Sequence, residues 1–314
     1  MAQLTDEQLA SIAHDFYLSK LNIAEISQKY NLSRYLINKA LDDAEMRGIV
    51  KIKIKITQGI KRNQVLERKF QKLFGLKEAF ILKCSENDAN DDEAVVNFAA
   101  KQIQTYLQST HIAGITWGST MRGVINNFNE ESFNKLYFIQ LLGHAINTNR
   151  RKNPLVQDAA EKFHAKGLGL PTPLYILNPK IIPALKKEPY FKIVENCYHN
   201  LDLLFTGLGT LDSFKTNPFL DKNYAPRLFK NIPEEQVAGL IMGRPYNING
   251  EFFCDFEKHI CGISMNDIMQ TPTRFCVVNN RFKSKALLGA LRSGIITHLV
   301  INDNLAQRVL REAE

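Results

Sequence analysis

The chain is 314 residues long, 45% hydrophobic and 23% charged, with a formal net charge of +8. That length suits about two domains of 100–200 residues each, and the composition is globular, which excludes a disordered or collagen-like chain. The basic excess favours an anionic partner without choosing among DNA, RNA, membrane and phosphorylated ligand.

The first segment, MAQLTDEQLASIAHDFY, is acidic and amphipathic. It has no basic region followed by an apolar one, so a signal peptide is not expected. No stretch approaches the ~18 apolar residues of a membrane span. A cytoplasmic protein is expected, with no membrane partner. Cysteine usage agrees: Cys84, Cys197, Cys254, Cys261 and Cys276 are odd in number and include no Cys-x-x-Cys, which argues for a reducing compartment. Cys254, His259 and Cys261 lie close together but lack a fourth ligand at zinc-finger spacing, so no metal and no cofactor are expected.

Residues 5–19 place Leu9, Ile12, Ala13, Phe16 and Tyr17 at helical spacing. A second helix fits Ile23 to Tyr30 with Asn22 as its cap, and a third fits Arg34 to Met46 with Ser33 as its cap. Gly48 stands where a helix C-terminal glycine belongs. Residues 49–56, IVKIKIKI, alternate apolar and basic side chains as a half-buried strand does. That strand is either a DNA-contacting wing or a solvated edge. Lys61 to Phe74 is charged and amphipathic, a linker-helix candidate that could pair with itself in a dimer.

From about residue 77 short apolar runs alternate with helical segments. Strands are expected at 78–83, 111–117, 135–143, 174–179, 201–209, 237–243, 274–280 and 297–303. Helices are expected at 92–108, 119–127, 283–292 and from 304 to the end. The acidic stretch from Glu86 to Glu93 reads as a loop. Alternating strands and helices point to βαβ units and a mainly parallel α/β sheet covered on both faces.

Two constellations carry chemistry. The first is the pair of helices on either side of Tyr30-Asn31-Leu32. Ile23, Ile26, Leu32, Ile37 and Leu41 would form a shared core. Arg34, Tyr35, Asn38 and Lys39 would face outward, as a helix-turn-helix requires for the major groove of double-stranded DNA. Arginine suits guanine edges and asparagine adenine edges, while Ser33 or Tyr35 could hold a phosphate. Between residues 20 and 62 there are ten basic and four acidic residues, most of the chain's excess charge. A generic three-helix domain is the plainer alternative. The second constellation is Gly118-Ser119-Thr120, which follows a strand and opens a helix. It is either a phosphate cradle of backbone N–H groups and hydroxyls, or an ordinary helix cap. Gly207 and Gly209 sit at another strand end, where open α/β sheets bind ligands. Gln140 and His144 border a third strand end and could bond sugar hydroxyls.

These segments resemble one family. LNIAEISQKYNLSRYLINKALDDAEMRGIVKIKIK (21–55) is similar to the N-terminal domain of SorC/DeoR-type bacterial sugar-responsive regulators. The likeness continues in family order. GLKEAFIL (75–82) resembles the first strand after the linker helix, AGITWGSTM (113–121) the G-V-x-W-G-x-T-L run, and IQLLGHA (139–145) the V-Q-L-x-G-G run. LPTPLYI (170–176), LFTGLGTLD (204–212), AGLIMGRPYNINGE (238–251) and FCVVNNRFKSKALLGALRSGIITHLVIND (275–303) follow.

The resemblance implies residues 1–57 as a winged helix-turn-helix, 58–76 as a linker helix, and 77–314 as a Rossmann-like effector domain related to sugar-phosphate isomerases and CoA transferases. It implies a transcriptional regulator of carbohydrate metabolism. Its binding to an operator would be modulated by a sugar or sugar-phosphate effector, and it would be a homodimer or homotetramer. Gly118, Ser119, Thr120, Gln140, His144, Gly207, Gly209, Asn279 and Lys283 are the expected effector contacts, Lys283 matching the family lysine near the phosphate. Departures are visible: the family's G-D-I is Gly239-Leu240-Ile241, R-F-F-D is Arg244-Pro245-Tyr246-Asn247, and the glycine pair of V-A-G-G is Asn279-Asn280. The alternatives are an isomerase-like enzyme with an appended DNA-binding head, disfavoured by the acids lost at Leu240 and Asn247, and a constitutive DNA-binding scaffold.

Overall fold

The computed structural model describes residues 4–50, 61–84, 91–145 and 154–314. The chain divides into two compact units, Met1–Gly59 and Ile60–Glu314.

In the first unit, α1 (Asp6–Tyr17), α2 (Ile23–Tyr30) and α3 (Arg34–Met46) enclose one small core. Each start is fixed locally. Thr5 and Gln8 form a reciprocal capping box on α1, Asn22 and Glu25 form another on α2, and the Ser33 hydroxyl accepts from Leu36 N on α3. Asn31 ends α2 in the left-handed region at φ 53°, which asparagine tolerates. Gly48 ends α3 at φ 72°. Leu9, Ile12, Ile26, Ile37 and Ala44 are essentially fully buried. Lys29 Nζ and Tyr30 Oη both donate to the buried Asp15 carboxylate, at 2.7 and 2.8 Å, tying α1 to α2. These bonds hold the Asp15 pKa below the usual carboxylate value. The strand expected at 49–56 lies, from Lys51 onward, outside the described residues.

The second unit opens with α4 (Gln64–Phe74), which packs on β1 (Glu78–Leu82). The expected linker helix is thus docked on the sheet. Phe70 is fully buried, and the buried Glu67 carboxylate accepts a bidentate pair from Arg62 and the N–H of Ile81. Then follow α5 (Asp91–Leu107), β2 (Ile112–Ile115), α6 (Ser119–Asn126), β3 (Tyr137–Gln140), α7 (Leu155–Lys162), β4 (Lys166–Leu168) and β5 (Leu203–Thr206). A hairpin of β6 (Gly239–Ile241) and β7 (Arg244–Tyr246) stands apart, before β8 (Thr273–Val277) and β9 (His298–Asn302).

Seven strands form one parallel sheet in the order β1-β9-β8-β5-β2-β3-β4. Side chains alternate between its two faces. Ala79 and Ile81 of β1 join one core with Leu299 and Ile301 of β9, while Phe80, Phe275 and Val300 join the other. Burial on both faces is why the strands read as continuous apolar runs.

Two expected strands differ. Residues 174–179 form no strand: Pro173 and Tyr175 make only isolated bridges, to His144 and Ile260. Their apolar character reflects burial of Leu174 and Tyr175, not ladder pairing. The 237–243 run contributes β6 to the antiparallel hairpin, outside the parallel sheet. The hairpin turn is Met242-Gly243, with φ 47° and 76°, the doubly positive pair of a two-residue type I′ turn. Asp91 to Glu93, expected in a loop, belong to the first turn of α5, and the rest of that acidic stretch lies outside the described residues.

The chain leaves β2 for β3 and β4 on one side and returns to β5 on the other. Strand order therefore reverses between β2 and β5, and the crevice beyond their C-terminal ends is where open α/β sheets receive ligands.

Candidate functional site

The first unit presents a polar helix face. Arg34, Tyr35, Asn38 and Lys39 are exposed on α3, while Ile37, Ala40 and Leu41 point into the core. Tyr35 is 73% exposed, large for an aromatic side chain with no packing role in its own unit. Ser33 is exposed too, but its hydroxyl is engaged as the cap of α3, 3.3 Å from Leu36 N. The arrangement puts a guanidinium, a phenol, a carboxamide and an ammonium on one side of the first turns of a rigid helix.

In the second unit a cavity of about 270 Å³ opens at the β2/β5 switch point. One end is built by the turn from β2 into α6. Gly118 takes φ 137° and is the N-cap of α6 without a side-chain cap bond, so no capping side chain covers the first-turn N–H groups. Ser119 and Thr120 line the same end, with the Thr120 hydroxyl donating to Asn279 Oδ1 at 3.3 Å. Gly207 and Gly209 supply the β5 side. Gly209 exchanges two backbone hydrogen bonds with Leu240, at 2.8 and 2.9 Å, which seats β6 against the cavity rim.

Lys283 reaches the cavity from the segment after β8, its ammonium donating to the Leu208 carbonyl. Burial holds its pKa below the ordinary lysine value. The neighbouring Cys276 thiol is pushed up to about 12 by its own burial, so it stays neutral and offers Lys283 no counter-charge at ordinary pH. Among the described residues lining the cavity there is no carboxylate. The ammonium is therefore desolvated without an acidic partner on the wall, an arrangement that an anionic ligand would relieve.

Of the expected effector contacts, the fold brings Gly118, Ser119, Thr120, Gly207, Gly209 and Lys283 to one cavity, with Asn279 behind Thr120. It does not bring Gln140 or His144 there. The Gln140 side chain is buried and engaged at its own strand end, donating to Leu142 O at 2.6 Å and accepting from Leu170 N at 3.5 Å. His144 is exposed, and its backbone pairs with Thr172 and Leu174 instead.

The model of the Sugar-bind family, a sugar-binding domain, matches residues 58–311. The chain belongs to that family. The sorbitol operon regulator of Klebsiella pneumoniae is 24% identical over 310 residues, covering 96% of this chain and 97% of that protein. The transcriptional regulator LsrR of Enterobacter sp. (strain 638) is 23% identical over 312 residues, covering 98% of this chain and 94% of the relative. The crystal structure of the full-length sorbitol operon regulator SorC from Klebsiella pneumoniae shares the fold, with a TM-score of 0.66 at 24% identity over 97% of this chain and 99% of that one. The protein is a SorC/DeoR-type transcriptional regulator with a sugar-binding domain.

In this regulator the cavity is also lined by residues outside the expected effector contacts. Trp117, Tyr175, Thr210, Ser213 and Met242 all border the cavity. Thr210 and Ser213 form a capping box on a short helix, a local signal the sequence does carry. Tyr175 and Met242 carry no signal of their own. Their place depends on how the 170–176 segment and the β6–β7 turn fold over the sheet.

Proposed function

We propose that this regulator reads an operator in double-stranded DNA with the exposed face of α3, and that a sugar phosphate held at the β2/β5 crevice changes its DNA affinity. The observation that carries the reading is the cavity's charge pattern: the Lys283 ammonium and the uncapped start of α6 share one end, with no acid among the described lining residues. A phosphate matches that end, since helix-start N–H groups and a desolvated ammonium both favour an anion. Ser119 and Thr120 would add hydroxyl donors, with Gly207 and Gly209 letting the ligand approach the backbone.

In this reading residues 1–57 are the DNA-binding head, 58–76 the linking helix segment and 77–314 the effector domain. Arg34 and Asn38 read base edges, and Ser33, Tyr35 and Lys39 contact the backbone. A protomer with a single head works as a homodimer or homotetramer on a palindromic or repeated operator. Among the described residues no helix is long and apolar enough to cross a membrane. We place its action in the cytoplasm, where operator DNA lies. The effector acts only through a difference in affinity for the DNA-competent and incompetent states.

The isomerase-like alternative is not supported. The relatives are named as regulators, and the described cavity wall offers no carboxylate to serve as general base. The test is a thermal-shift screen of phosphorylated sugars, followed by selection of genomic fragments on the full chain with and without each hit. A defined enriched sequence whose retention changes with a hit is the expected result. Fragments without common sequence under every condition would overturn the reading.

A further inference from the structure

Resting on the phosphate reading above, we propose that the effector's body carries few free hydroxyls: a deoxygenated or dehydrated sugar phosphate and not a fully hydroxylated one. Much of the cavity wall is apolar, including Leu142, Leu174, Phe214, Leu220, Leu240 and Met242. Leu240 is buried, with both its backbone N–H and its carbonyl bonded to Gly209.

Among the described residues, the polar side chains of this wall outside the proposed phosphate contacts are engaged within the protein. The Tyr175 hydroxyl donates to Gly243 O at 2.7 Å, and Trp117 Nε1 donates to Gly143 O at 3.0 Å. The Thr210 and Ser213 hydroxyls bond each other at 2.9 Å, and Thr210 Oγ1 also accepts from Ser213 N at 3.2 Å. The Thr116 hydroxyl donates to Thr206 Oγ1 at 3.0 Å, and Thr206 in turn donates to Gly207 O. Asn217 Oδ1 accepts from Phe219 N and Leu220 N at 3.1 and 3.3 Å.

A ligand hydroxyl buried against such a wall loses its water and finds no carboxylate among the described lining residues in exchange. An unmade hydrogen bond of this kind disfavours binding, whereas a C–H group at the same place gains from apolar contact. Apart from the groups assigned to the phosphate, the described wall thus offers mostly apolar contact and side-chain polar groups that already have partners.

The test is calorimetric titration of the full chain with matched pairs: 2-deoxyglucose 6-phosphate against glucose 6-phosphate, and 2-deoxyribose 5-phosphate against ribose 5-phosphate. Inorganic phosphate and uncharged glucose serve as the two reference arms. The expected result is that the deoxygenated member of at least one pair binds about tenfold or more tightly than its partner, the size of one unpaired hydroxyl. Leu240→Asp should narrow or reverse that preference, and Leu240→Asn carries the same test if the acid prevents folding. Phosphate esters that bind with the hydroxylated member equal or tighter in both pairs would overturn this inference while leaving the phosphate site standing. Glucose binding with no response to phosphate or to any ester would overturn the phosphate reading itself, and this inference with it.

Discussion

In the unit Met1–Gly59 the polar side chains of interest stand outward from a helix whose opposite face is closed by Ile37, Ala40 and Leu41. In the unit Ile60–Glu314 they line a recess assembled from the ends of separate strands, with the ammonium of Lys283 partly desolvated. An exposed face keeps its charges hydrated until a polyanion arrives, so affinity there grows from counterion release and depends on salt. A recess has already given up hydration, so one charge counts for more and a small ligand can select on single groups. The two units thus suit a large partner read along a surface and a small one enclosed.

The contrast can be broken most forcefully through the cores. Phe70→Ala should cost the second unit about 3–5 kcal/mol, and Ile37→Ala should cost the first about 2–5 kcal/mol. Denaturant unfolding followed by probes in each unit should show one transition shifted and the other unmoved. A single transition displaced equally by both substitutions would deny that the units fold separately.

Next in size is the recess charge. Lys283→Met should cost about 1.5–3 kcal/mol of phosphate-ester affinity, the range for a hydrogen bond to a charged group, with DNA affinity in the absence of ligand unchanged. Calorimetry and fluorescence anisotropy measure the two halves of that statement. On the exposed face, Arg34→Ala should remove about 1–3 kcal/mol of discrimination between the selected operator and a variant site. Lys39→Ala should weaken all DNA alike and reduce the salt slope by about 1.

The subtlest expectation concerns pH. Burial lowers the Lys283 pKa in the unliganded protein, and a bound phosphate would hold the proton on. Affinity for phosphate esters should therefore fall as pH rises through that lowered value, before an ordinary lysine would lose its charge. Binding should also be accompanied by proton uptake in that window. Lys283→Arg should abolish the fall, because guanidinium stays charged throughout.

What could be read from the sequence follows from how local each feature is. The helices of the first unit were legible because caps, periodicity and the end glycine all lie within a turn or two of one another: Thr5 with Gln8, Asn22 with Glu25, Ser33, and Gly48. The parallel sheet was legible as a class because its strands are apolar throughout. The three-residue edge strand Lys166–Leu168 was not, since it is short and carries a lysine. The helix Pro189–His199 buries Val194 and Tyr198 at helical spacing, a local signal that the sequence does carry.

The cavity was half legible. Ser119 and Lys283 are distant in sequence and share a wall because β2, β5 and β8 are neighbours in the sheet. Gln140 shows the limit of reasoning from strand ends. It occupies such an end, yet its carboxamide turns back to satisfy Leu142 and Leu170, a choice that periodicity cannot reveal.

The most direct test is anisotropy of the full chain on its selected duplex, titrated with a tight-binding phosphate ester, for the unsubstituted protein and for Lys283→Met. Operator affinity should change with ester for the former and stay constant for the latter, both starting from the same value. Equal responses in the two proteins, or none in the unsubstituted protein despite calorimetric saturation, would contradict the coupling of a phosphate-filled recess to the DNA-reading face.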